Sequence, residues 1–189
     1  QELAGGIFRG IKRIETLPGL IQQPTLRWLP DHLFEPEYAN HRILLYYTGL
    51  TRMAKGILQE VVRGVFLNSP EHLATLSEIG ANADLAFAAL QQADYAALCR
   101  SIGVSWELNQ RLDRGTNPPA VRQILESLSA DLAGAKLLGA GGGGYLLLLA
   151  KDVDAASRVR RTLEERAPNP KARFVDLALS NTGLQVTRS

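Results

Sequence analysis

The residues with the clearest chemical content lie in GAKLLGAGGGGYLLLLAKD, which starts at residue 134. Gly139, Ala140, Gly141, Gly142, Gly143 and Gly144 separate the apolar pair Leu137–Leu138 from the run Tyr145–Leu149. Every glycine costs conformational entropy on folding, and a plain turn needs only one or two. The run therefore implies positive φ angles, or a backbone that something must approach closely. One reading is a flexible hairpin connection. The other is a nest of backbone N–H groups open to an anion, since no side chain blocks the approach. A Walker A loop is excluded, because no Lys-Ser or Lys-Thr follows the last glycine. The dinucleotide fingerprint is excluded too, because a strand rather than a helix follows. Lys136 flanks the run and reads as cover for the solvent face of a strand. Arg52, after YYTGLT, falls in the first turn of a helix at the carboxyl end of a strand, a corner that faces ligand clefts in layered folds. A cation at that helix end calls for compensation, and an anionic neighbour would supply it.

Composition narrows the function classes. The chain has 189 residues, 46% hydrophobic and 21% charged, which suits one globular domain. Its 21 basic and 19 acidic residues nearly balance, so a polyanion such as nucleic acid is not the expected partner. Cys99 is alone, which leaves neither a disulfide framework nor a cysteine metal site. His32, His41 and His72 lie far apart without ligand spacing, and no metal ligand is expected within the chain. No segment approaches the roughly 20 apolar residues that span a bilayer. The opening QELAGG is no secretory signal, so a cytoplasmic protein is expected. It reads as the inside of a helix, hence as a piece of a longer chain.

The elements that must position these residues follow from periodicity. IKRIET and TLRWLP alternate and read as a hairpin; DHLFEPEYAN reads as a loop, and RILLYYTG as a buried strand. Leu50, Ala54, Ile57, Leu58, Val61, Val62 and Val65 form the apolar face of a helix. Ser69-Pro70 caps a second helix that runs to about Gln92, and a third starts near Asp94. Pro119 opens a fourth, AVRQILESLSADLAG. The glycine run lies between two strands, and the helix DVDAASRVRRTLEER follows. ARFVDLAL and GLQVTR close the chain as a hairpin across SNTG. Strands at both ends with helices between predict an α+β fold, a small antiparallel sheet with helices on one face and a helical layer beside it.

GAKLLGAGGGGYLLLLA, with TNPPAVRQILESLSADLA as the helix ahead of it, resembles the third motif of the GHMP kinases, the superfamily of galactokinase, homoserine kinase, mevalonate kinase and phosphomevalonate kinase. QELAGGIFRGIKRIETLPG resembles the segment that in the sugar kinases begins Gln-Asp-Gln. LLYYTGLTRMAKGILQEVV and ARFVDLALSNTGLQVTR are similar to the carboxyl-terminal half of the L-fucokinases, some of which are fused to a guanylyltransferase. The resemblance covers nearly the whole chain.

It implies a GHMP kinase carboxyl-terminal domain over residues 1–189, with the ATP-binding amino-terminal domain outside this chain. The superfamily's second motif, Pro-x-x-x-Gly-Leu-Ser-Ser-Ser, does not occur here. ATP and Mg²⁺ would be held mainly by that other domain. Gly139 to Gly144 would shape the cleft floor near the phosphates and the sugar, with Thr48, Gly49 and Arg52 lining the sugar site. Two kinds of glycine are expected. Gly139 and Gly144 would be structural, whereas Gly141 and Gly142 would have ordinary angles and face the cleft. Glu2 matches the aspartate of Gln-Asp-Gln, the base for the substrate hydroxyl, and is longer by one methylene. The implied reaction is phosphorylation of the anomeric hydroxyl of L-fucose. A kinase for a heptose phosphate, galactose or L-arabinose remains open, as does a non-catalytic module. Without its partner domain the chain is expected to self-associate through uncovered apolar surface.

Overall fold

The computed structural model describes residues 7–17, 19, 21, 23–39, 41–50, 55–139 and 141–184. β1 (Lys12–Glu15) and β2 (Thr25–Trp28) form the expected antiparallel hairpin. Trp28, a packing residue by its type, is 56% exposed and touches Phe8 edge-on. The following segment is not a plain loop: it holds a 3₁₀ turn at His32–Phe34 and the short α1 (Pro36–Ala39), and Leu33 from that turn enters the core.

The main sheet has the order β4-β5-β3-β6 and is antiparallel throughout. β3 (Ile43–Tyr47) is one of its two inner strands, which is why ILLYY shows no alternation. Between β3 and β4 come α2 (Lys55–Phe66), α3 (Pro70–Gln91), α4 (Tyr95–Leu112) and α5 (Pro119–Ser127). Two starts are capped as the sequence indicates: Ser69 Oγ accepts from His72 N, and Asp94 Oδ1 from Ala97 N at 2.9 Å. α5 is shorter than its composition suggests. Of the tail DLAG, Leu132, Ala133 and Gly134 belong to β4 (Leu132–Leu137), because Leu132 pairs with Ala150 of β5 (Tyr145–Ala150). Cross-strand pairing overrides a local helix preference there.

α5 and α6 (Val153–Glu165) cover one sheet face, packing Val121, Ile124, Leu128, Ala155, Val159 and Leu163 onto Leu44, Tyr46, Leu137, Leu146 and Leu148. α3 and α4 form the helical layer on the other, where Ala89, Tyr95, Leu98 and Cys99 meet Ile43 and Leu149. Each fully buried leucine contributes about 1.5–3 kcal/mol. The fold is therefore α+β, with helices against both faces of the sheet.

Two expectations change. β6 (Arg173–Val175) pairs with β3, and residues 176–184 contain no strand; the rest of the expected partner GLQVTR lies outside the described residues. That segment runs beside the start of the described chain instead: Gly10 N donates to Ser180 O and Leu184 N to Ile7 O, both at 3.0 Å. A free edge of the buried β3 offers more burial than a terminal hairpin would. Secondly, the carboxyl-terminal end of the apolar stripe on α2 is exposed: Val62, Val65 and the adjoining Phe66 are 52%, 39% and 83% exposed. No helix among the described residues is long and apolar enough to cross a membrane.

Candidate functional site

The glycine loop joins β4 to β5 as a hairpin whose backbone is left-handed almost throughout. Gly139, Gly141, Gly142, Gly143 and Gly144 have φ of +76°, +95°, +81°, +157° and +96°. The expected division into two kinds is thus corrected: Gly141 and Gly142 do not have ordinary angles. Surroundings divide the glycines in another way. A Cβ on Gly141 would stand 2.6 Å from Thr116 Cγ2 and 2.9 Å from its Cα, and one on Gly143 would stand 2.6 Å from Leu50 O. These two press against the body of the domain. Gly139 and Gly144 would meet nothing within 4 Å, so they form the open side.

Hydrogen bonds fix the loop from behind. Gly142 N donates to Thr116 O at 2.9 Å and Gly144 N to Leu50 O at 3.0 Å. Gly144 O accepts from both Thr48 N at 2.8 Å and Thr48 Oγ1 at 2.9 Å. Among the described residues, the N–H groups of Gly141 and Gly143 have no such partner. The arrangement alternates anchored and unanchored donors along glycine backbone, which is the chemistry of an anion nest. A phosphate fits this donor set, and the open side leaves room to approach it.

Thr48 and Gly49 stand beside the loop as expected. Thr48 is fully buried, and its hydroxyl also accepts from Leu50 N at 3.3 Å. It therefore acts as a brace behind the glycines. Gly49 has φ of +70°, and a Cβ there would collide with the Asn169 amide. Glu2, Arg52 and Ala140 lie outside the described residues.

Residues 86–169 match the family model described as GHMP kinases C terminal. The chain carries a GHMP kinase carboxyl-terminal domain. It is 52% identical, over 190 aligned residues, to a Bacteroides fragilis protein named L-fucokinase/L-fucose-1-P guanylyltransferase; the match covers 100% of this chain and 20% of that protein. An Arabidopsis thaliana bifunctional fucokinase/GDP-fucose pyrophosphorylase is 31% identical over 176 residues, 88% of this chain and 16% of its own. The chain thus spans a fifth or less of the length of these relatives. Among solved structures, mevalonate kinase of L. major superposes with a TM-score of 0.66 at 18% identity, covering 88% of this chain and 48% of that one. That likeness is one of fold.

The GHMP domain uses two residues at the loop that sequence reasoning did not single out. Asn169 Nδ2 donates to Thr48 O at 2.7 Å, while its Oδ1 accepts from Lys171 N at 3.0 Å. It lies 121 positions from Thr48, so no local pattern signals it. Thr116 is 2% exposed and backs Gly141 and Gly142; its place in GTNPP, just ahead of the motif helix, was the available hint. Lys136 does not cover a solvent face. Its ammonium donates to Ser105 Oγ at 2.6 Å beneath α4, and burial pulls its pKa below the ordinary lysine value. Away from the loop, Asp31, His32 and Glu35 bring ligand atoms within 4.8 Å of one another, a grouping that spacing between histidines did not indicate; all three are exposed.

Proposed function

We propose that this chain is the carboxyl-terminal domain of an ATP-dependent sugar kinase that phosphorylates the anomeric hydroxyl of L-fucose, giving L-fucose 1-phosphate for conversion to GDP-fucose. One observation carries the reading: 52% identity along the whole chain to the Bacteroides fragilis fucokinase/guanylyltransferase. An amino-terminal kinase domain and a fused guanylyltransferase are the implied covalent partners. The compartment that supplies ATP and nucleotide sugars is the cytoplasm, and the reading places the enzyme there.

ATP supplies the γ-phosphoryl group, and Mg²⁺, held mainly by the amino-terminal domain, offsets its charge. Catalysis of this transfer is chiefly positioning and electrostatic stabilisation. The N–H groups of Gly141 and Gly143 would hold phosphate oxygens, and the open face at Gly139 and Gly144 admits them without a steric barrier. Thr48, held by Asn169 and bonded to Gly144 O, sets the height of that floor. Thr48 and Gly49 would border the sugar, with the Arg52 guanidinium against a transferring or substrate oxygen. The Glu2 carboxylate would accept the proton of the anomeric hydroxyl. Its extra methylene shifts the carboxylate by about an ångström relative to aspartate, a displacement that can be costly in a positioned reaction.

The test is a kinase assay of the complete enzyme with L-fucose, galactose, L-arabinose and a heptose phosphate. L-fucose should exceed every other sugar in kcat/KM by at least about tenfold. Preference for another sugar would replace the substrate assignment, and ATP binding without turnover of any sugar would identify a non-catalytic module. The 189-residue chain alone should form no fucose 1-phosphate, because the second motif is not in it.

A further inference from the structure

Lys136 is the half-buried cation closest in sequence to the glycine loop, three positions ahead of Gly139 on β4. No carboxylate pairs with it among the described residues. Its partners are neutral and both lie on α4. Ser105 Oγ accepts its proton at 2.6 Å. Asn109, with its amide turned so that Nδ2 donates to Ser105 O at 3.2 Å, offers Oδ1 to the ammonium at 3.1 Å. Ser105 and Asn109 are four residues apart, one above the other on a single helix face.

That face leads to the loop. The backbone oxygen of Asn109 accepts from Asp113 N at 3.1 Å, closing the end of α4, and also from Thr116 Oγ1 at 3.5 Å. Thr116 O then accepts from Gly142 N, and Thr116 Cα and Cγ2 form the wall behind Gly141. Lys136 is thus tied to the loop by two routes. One is its own strand, one residue from the strand's end. The other runs through Asn109 and Thr116 to the loop's centre. Withdrawing a cation from water without a carboxylate partner is costly, and a solvated position would be available to a lysine on an edge strand.

We infer that Lys136 is a positioning residue for the glycine loop: by joining β4 to the last turns of α4 it sets the distance between the Thr116 wall and the strand from which the loop departs, and so the aim of the loop's N–H groups. This rests on the reading of the loop as a phosphate cradle.

The test uses the complete enzyme with Lys136→Met, which keeps length and apolar bulk, and Lys136→Arg, which restores a cation and two donors. In Lys136→Met, KM for ATP should rise roughly tenfold while kcat changes about threefold or less, as expected when a binding contact loosens. Hydrogen exchange of peptides spanning 138–146 should accelerate roughly tenfold, with α3 and α6 unchanged. Lys136→Arg should recover KM to within about threefold of the unsubstituted enzyme. Unchanged KM and unchanged loop exchange in Lys136→Met would overturn the inference. So would a uniform rise of exchange over the whole domain, which is the signature of a merely structural lysine. Should the unsubstituted enzyme phosphorylate no sugar, the kinase reading fails by itself, and local against uniform exchange still decides the role of Lys136.

Discussion

Alanine at any of the loop glycines must take up a left-handed backbone, at about 1–2 kcal/mol. At Gly139 and Gly144 that strain is the whole cost, because the new methyl enters open space. At Gly141 and Gly143 the methyl also meets Thr116 Cα or Leu50 O, backbone atoms that cannot rotate away. Overpacking of that kind adds about 1–3 kcal/mol. Thermal melts of the alanine scan should therefore place Gly141→Ala and Gly143→Ala well below Gly139→Ala and Gly144→Ala. In the complete enzyme, the latter pair should raise KM for ATP several-fold with only the strain cost to stability, since their methyls project where the phosphate would approach. Equal melting temperatures across the scan would mean that the loop relaxes freely and that its contacts with Thr116 and Leu50 do not constrain it. Type and spacing indicated that this run served backbone geometry. Which glycine faces outward could not be read from sequence, because that depends on Thr116 and Leu50, neither adjacent to the loop.

Among the elements, β4 carries the clearest electrostatic consequence. Burial holds the Lys136 ammonium below the ordinary lysine value of 10.5, so the folded chain binds this proton less tightly than the unfolded chain. The cost is fully present at neutral pH and is relieved as pH rises through the lowered value towards 10.5. Ser105 and Asn109 on α4 and Leu147 opposite on β5 are its neighbours, and none of them titrates in that range. The stability of the unsubstituted protein relative to Lys136→Met should thus increase with pH in this window; a flat difference in melting temperature would contradict the burial of the charge. The elements were legible where local chemistry decides them: the Ser69 and Asp94 caps, the Pro119 start and the apolar runs of β3 and β5 were all readable. DLAG and the tail after β6 were not, because pairing of Leu132 with Ala150 and bonds of the tail to Ile7 and Gly10 decide them from more than 15 and 100 residues away. Nor did the stripe on α2 reveal that, among the described residues, Val62, Val65 and Phe66 at its end stay exposed.

That stripe matters for the molecule as a whole. Val62, Val65, Phe66 and Leu67 are exposed together at the end of α2, and apolar surface of this kind drives association. The isolated chain should show a concentration-dependent rise in mass by light scattering. Phe66→Asp should suppress it without lowering the melting temperature, since an 83% exposed side chain contributes little to the core. A monomer at high concentration would mean that the stripe is too small to hold a second copy. The wiring of the loop also has a consequence in time. Its braces join parts of the chain 96 and 121 residues apart, Thr48 to Gly144 and Asn169 to Thr48. Closing such long loops is slow and is rewarded only once both ends are structured. The cradle is then among the last features to form and the first to open. Asn169→Ala should speed unfolding while leaving the refolding rate nearly unchanged, a φ-value near zero in stopped-flow experiments, provided the substitution destabilises by more than about 0.6 kcal/mol. A nascent chain would by that account acquire its two helical layers well before it could grip a phosphate.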